Sequence, residues 1–142
     1  MRSMKLFQLA VLFLIAAALV AGTPTPAAGA GPTERSVLTC AVDETDPDYG
    51  ASGAAKFSDL KAWFPTLQVK CNGLTPGAAY EVWLFRLIWS DPPGEEGGLW
   101  QVFPADKWGR GSVQGNMVWP ISRTEVRRID QTTSVVVLNG AW

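Results

Sequence analysis

The chain reads as all-β: an antiparallel sandwich, or a small barrel, of about seven short strands with one disulfide. Three observations carry that reading. Two runs with a period of two, residues 66–71 and 80–89, flank the corner Asn72-Gly73-Leu74-Thr75-Pro76-Gly77-Ala78-Ala79. The other apolar runs are short, rich in β-branched and aromatic residues, and separated by Gly, Pro, Asp and Ser. Two cysteines, Cys40 and Cys71, follow an export-type N-terminus, and in an oxidising compartment such a pair is most simply a disulfide.

The N-terminus is built for targeting. Arg2 and Lys5 precede an apolar run over residues 6–20, broken only by Gln8, with small residues at Val20-Ala21-Gly22 and Ala28-Gly29-Ala30. A positive start, an apolar stretch of about 15 residues and a small-x-small exit mark a secretory signal peptide. The run falls short of the roughly 20 residues that span a bilayer comfortably. Residues 1–30 are therefore expected to be the signal, with cleavage near residue 22 or residue 30, and residues 31–36 a flexible leader. A single domain, 37–142, remains. Arg2 and Lys5 account for two of the 12 basic residues, which leaves 10 against 13 acidic ones, a net charge of −3. An exported, mildly acidic domain is ill suited to nucleic acid, and no membrane span is expected after cleavage.

Residues 37–42 form the first strand candidate, ended by the acidic run Asp43-Glu44-Thr45-Asp46-Pro47-Asp48. Residues 54–58 are a weaker second strand, and 59–65 a connection with room for one helical turn before Pro65. Residues 66–71 and 80–89 are the third and fourth strands. Ser90 to Gly98 is turn chemistry throughout, so the fifth strand is expected only over 99–103. Residues 106–111 make a hairpin tip, and 112–119 alternate, with Val113, Met117 and Trp119 on one face. Ser122-Arg123-Thr124-Glu125 fits a capping box and predicts a short helix to about residue 129. Residues 133–138, β-branched almost throughout, are the last strand.

The segment Val69-x-Cys71-x-Gly73-Leu74-Thr75-Pro76-Gly77-x-x-Tyr80-x-Val82-x-Leu84 resembles the tyrosine corner of fibronectin type III and related immunoglobulin-like sandwiches. The resemblance implies that Leu74 packs inward, that Pro76-Gly77 makes the turn, and that the Tyr80 hydroxyl bonds backbone a few residues upstream. It extends to the corner and not to the topology. About three strands follow the tyrosine strand here where a fibronectin domain has one, and Val82 stands where an antibody-type domain carries its second cysteine.

With no histidine in the chain, Ser-His-Asp and Cys-His nucleophiles, histidine-held zinc or copper and the commonest general base are all excluded. Gly50-Ala51-Ser52-Gly53 lacks the spacing of a nucleophile elbow. Carboxylates alone can serve a glycoside hydrolase, which leaves Asp46, Asp48, Glu95 and Glu96 as candidate acids, although adjacent loop carboxylates fix no facing geometry. Asp43, Asp46 and Asp48 also form a candidate calcium site, the one cofactor expectation, against the reading of an ordinary acidic turn interrupted by Pro47.

Seven tryptophans are the unusual feature. Trp83 and Trp119 alternate with core-type residues and read first as interior. Trp63, Trp83, Phe85, Trp89 and Trp108 are the candidates for an exposed aromatic patch. The function expected is a secreted or surface-associated binding module, without catalysis of its own, that recognises a protein or glycan partner through these aromatics. The alternative is a carbohydrate-binding or carbohydrate-active accessory domain.

Overall fold

A computed structural model describes residues 33–117 and 120–142. The expectations for the signal peptide and for Trp119 fall outside these residues. Eight strands follow in chain order: β1 Glu34–Cys40, β2 Ser52–Ser58, β3 Thr66–Asn72, β4 Ala79–Ile88, β5 Gly94–Pro104, β6 Gly111–Asn116, β7 Arg123–Asp130 and β8 Thr133–Ala141. Every paired neighbour is antiparallel, in the order β5-β4-β7-β8-β1-β2-β3-β6. β1 joins the two halves: it pairs with β2 as far as Leu38, then with β8 through Thr39 and Cys40.

The sheet curls until its ends, β5 and β6, face each other. They meet through side chains. The Phe103 ring lies over Gly111 and the Trp100 ring over Gly115, positions where an added Cβ would come within 2.0 Å and 3.1 Å of those rings. Gln101 Nε2 donates to the Gln114 carbonyl at 3.2 Å. Glycine here makes room for an aromatic ring from the facing strand.

Period two sorts the side chains as expected for one buried face. Leu67, Val69 and Cys71 of β3, and Tyr80, Val82 and Leu84 of β4, point into a core shared with Leu38, Phe57, Phe103 and Val126. Val137 and Leu138 are both buried although adjacent. A register shift between Val126 and Arg127 explains this, because it leaves Val137 opposite no residue.

Four expectations need correction. Residues 123–130 are strand β7 and not a helix. Thr124, Val126 and Arg128 face the core, and pairing with β4 on one side and β8 on the other satisfies the backbone, which outweighs a four-residue capping pattern. Gly94–Gly98, read as loop, is the first half of β5 and pairs with residues 84–88 of β4. The leader ends sooner than residue 36, since Ser36 is buried and its hydroxyl donates to the Ala141 carbonyl at 2.7 Å. Lastly, Cys40 and Cys71 are free thiols. β2 lies between β1 and β3, with Leu38, Gly53 and Cys71 in one row, so Cys40 and Cys71 sit two strands apart. The row alone spans roughly 9–10 Å, already beyond the ~7 Å that a disulfide bridges, and Cys40 lies two residues further along β1.

Candidate functional site

The register assigns each connection to one end of the barrel. The β1–β2, β3–β4, β5–β6 and β7–β8 connections gather at the corner end. The β2–β3, β4–β5 and β6–β7 connections gather at the other, with the first residue of β1 and the last of β8. The expected acids and aromatics divide between these ends, and the division decides what each can do.

At the corner end Asp46 and Asp48 converge on Arg128. Arg128 reaches Asp46 at 2.7 Å and 3.0 Å, Asp48 Oδ2 at 2.6 Å, and Asp130 at 2.8 Å and 3.1 Å. The other oxygen of Asp48 accepts from the Thr75 amide at 2.7 Å, the Thr75 hydroxyl at 2.7 Å and the Tyr80 hydroxyl at 2.8 Å. The Tyr80 oxygen in turn accepts from the Thr75 amide at 2.8 Å, the upstream backbone bond that the tyrosine-corner resemblance implies. Asp48 is fully buried, and no buried polar side-chain atom among the described residues lacks a partner. The cation in this acidic cradle is therefore a guanidinium. Asp43 turns away to Thr45, and among the described residues no group of three His, Cys, Asp or Glu is arranged to hold a metal ion.

Arg128 holds the Asp46 and Asp130 carboxyls below the usual carboxylate range through its hydrogen bonds, and the carboxylates hold Arg128 above its own. Burial, and then the neighbouring Asp48 carboxylate, push the Tyr80 phenol up to about 12. These shifts belong to a permanently charged structural pair and not to groups poised for proton transfer near neutrality.

Trp83 and Phe85 lie on the outer face of β4, half-buried. The Arg127 guanidinium covers Trp83 at 4.4 Å and that of Arg123 covers Phe85 at 3.9 Å. Glu125, between the two arginines on β7, bonds both. Glu81 accepts from Trp83 Nε1 at 2.8 Å. This part of the expected patch is already covered from within the chain. Trp108 stands alone at the corner end, 67% exposed, with Lys107 5.0 Å from its ring.

The remaining two, Trp63 and Trp89, share the opposite end and are 93% and 98% exposed. β7 stops pairing with β4 at Phe85, so beyond it β4 and β5 continue as a two-stranded arm over Arg86–Ile88 and Gly94–Glu96. The arm overhangs a cleft of about 820 Å³ lined by Leu84, Leu87, Leu99, Trp89, Trp100 and Trp142, with Met117 and Ile121 opposite. Trp142 forms the cleft's inner wall: its Nε1 donates to Thr124 Oγ1 at 2.9 Å and its ring packs on Phe57 at 5.0 Å. Trp63 and Phe64, both exposed, sit in the neighbouring β2–β3 connection, which is tied to the cleft by the Met117 amide donating to the Pro65 carbonyl.

Sequence reasoning passed over Trp100, Met117, Ile121 and Trp142 as cleft residues. Only the register makes them neighbours. Four charged groups at this end are paired: Arg86 with Glu96 at 2.6 Å, and Glu95 with Arg123 at 3.1 Å, Glu95 also accepting from Ser122 at 2.9 Å. Ser122 and then Arg123 lower the Glu95 pKa, so it remains a carboxylate near neutrality. Asp46 and Asp48 stand at the far end from Glu95 and Glu96, and the four candidate acids do not face one another across any cleft.

Compared with known proteins, the chain matches no family model, no curated protein and no solved structure.

Proposed function

We propose that this chain is an exported, non-catalytic binding module that takes an apolar group of its partner into the cleft beneath the β4–β5 arm. One observation carries the reading: an open cleft of about 820 Å³ whose walls are indoles and aliphatic side chains, with its few charges already paired. A cavity of that size and lining suits an apolar ligand fixed by a few polar contacts. Of the candidate acids only Glu96 lines the cleft, paired with Arg86, whereas three indoles line it, which supports the binding half of the carbohydrate alternative over the hydrolytic half, since hydrolysis needs two facing carboxyls. The tyrosine-corner hydrogen bonds support regarding the barrel as a variant of the immunoglobulin-like sandwich, with β1 shared between its two halves.

Gly98 provides the test. It lines the cleft, and a Cβ added there meets no heavy atom within 4 Å beyond its chain neighbours. Gly98→Phe is expected to leave the melting temperature unchanged while weakening uptake of 1-anilinonaphthalene-8-sulfonate, an anionic dye with an apolar ring system, at least tenfold. Trp108→Ser is expected to change neither. Equal dye uptake by wild type and Gly98→Phe would remove the cleft from consideration. A glycan panel that perturbs indole emission in wild type but not in Gly98→Phe would select sugars as the ligand class.

A further inference from the structure

We propose that the free edge of β5 pairs with β5 of a second copy of this chain, about a twofold axis through Gly97. The ladder shows which peptide groups are open. The Phe85 carbonyl accepts from the Ser122 amide at 2.7 Å, so Phe85 and every second residue of β4 face β7, and Leu84, Arg86 and Ile88 face β5. Their partners on β5 are Gly98, Glu96 and Gly94. Glu95, Gly97 and Leu99 therefore aim N–H and C=O away from β4, and among the described residues no strand pairs with that side. All three are exposed. A row of donors and acceptors at strand spacing fits another extended polypeptide.

This edge lacks the usual guards. Glu95 and Glu96 carry their carboxylates back across the arm, to Ser122 and Arg123 and to Arg86. No proline lies between Gly94 and Phe103, and the register shift falls between Val82 and Trp83, beyond the open residues. Other exposed charges at this end, Glu34, Arg35, Asp59, Lys61 and Asp91, stand outside the segment that pairs. Gly97 selects the same strand of another copy as the occupant. The Phe85 ring lies across it, an added Cβ falling 2.3 Å from the ring. On a twofold axis Gly97 faces its own equivalent, in a hydrogen-bonded pair about 5.5 Å apart. Two Phe85 rings then come side by side, within the ~4.5–7 Å of favourable ring contacts. On either side of the axis Glu95 of one copy pairs with Leu99 of the other. The rungs end there, because past Leu99 the Trp100 ring is seated on Gly115 of the chain's own β6. The pairing does not depend on what the cleft takes up.

Sedimentation equilibrium of the chain as recovered after secretion is expected to show a reversible dimer. Glu95→Pro removes an N–H that β4 does not use, and symmetry removes it twice, so the dissociation constant should rise at least tenfold. Glu95→Ala keeps that N–H and should dimerise as wild type does. Position 95 is exposed, so matching melts of the dilute proteins exclude misfolding as the cause. Amide hydrogen exchange tests the wild type without any variant: Gly97 and Leu99 should be protected in concentrated solution and lose that protection on dilution. A wild type that stays monomeric would overturn the proposal and leave the edge to a strand of another protein. A dimer whose Gly97 and Leu99 amides exchange as freely as in dilute solution, or one that Glu95→Pro leaves intact, would overturn it as well. So would equal weakening by Glu95→Ala and Glu95→Pro, since the carboxylate and not the backbone would then join the copies.

Discussion

Asp48→Ala tests the polar hub on which the corner depends. In the wild type four donors converge on this carboxylate: the Thr75 amide and hydroxyl, the Tyr80 hydroxyl and one Arg128 N–H. After truncation the Thr75 amide keeps the Tyr80 oxygen, and that Arg128 N–H keeps Asp46. The hydroxyls of Thr75 and Tyr80 lose their acceptor. Each buried hydroxyl left unpaired costs about 1–3 kcal/mol. Breaking a buried ion pair costs about 3–5 kcal/mol when the remaining charge is uncompensated, but Asp46 and Asp130 still neutralise Arg128 here, so only part of that applies. A loss of about 4 kcal/mol follows, a large share of the ~5–15 kcal/mol that a domain possesses. Urea denaturation followed by indole emission measures it. With a slope of about 1–3 kcal/mol/M, the midpoint should fall by at least ~1.3 M. Tyr80→Phe removes one donor and should cost about 1 kcal/mol. In the double variant the two losses should add to less than their sum, since one shared bond is counted twice. A loss below ~1 kcal/mol for Asp48→Ala would refute the claim that the hub organises the corner.

Three further outcomes are expected. Gly109→Ala should destabilise severely, because φ there is +72° and the new methyl would lie 2.4 Å from the Leu74 carbonyl oxygen, while Gly98→Ala should be neutral or slightly stabilising; thermal melts compare them. Asp46 and Asp130 have depressed folded pKa values, so the stability they lend is complete above the ordinary carboxylate value near ~3.9 and drains away as pH falls through the folded values. The urea midpoint should be level from about pH 7 to 5 and fall below about pH 4, and an Asp46→Asn/Asp130→Asn variant should have a flatter acid limb. Burial pushes the Cys71 thiol up to about 12, as it does, more than Asp48 does, the Tyr80 phenol. Their contribution is complete below the unfolded thiol value near ~8.5 and is lost as pH rises towards 12, so stability should decline on the alkaline side. Cys71 should also resist a thiol reagent at about pH 8 until urea is added.

The strands that the sequence disclosed were those with one wet face. β3 and the first half of β4 alternate cleanly because each lies between a core and water. β7 was hidden because its outer face is a row of charges, Arg123, Glu125 and Arg127, paired with one another, which reads as helix periphery when the neighbours are unknown. The glycine-rich start of β5 was hidden for a related reason. Gly97 is obligatory where the Phe85 ring lies across it, an added Cβ falling 2.3 Å from the ring, so a residue type that signals turns marks a tight cross-strand contact here. Among the site residues, Trp63 and Trp89 could be picked out as tryptophans standing in connections. Trp100 and Trp142 could not, since their role depends on a curl of the sheet that no local pattern encodes.

The β5–β6 closure has one more consequence. The seam between β5 and β6, closed by rings seated on Gly111 and Gly115 plus a single amide contact from Gln101, can part without breaking a rung of any ladder. A parted seam presents two unpaired strand borders, a template onto which other molecules stack. Self-association from this fold can thus begin before unfolding does, and a single methyl group at either glycine, by evicting its ring, is enough to hasten it.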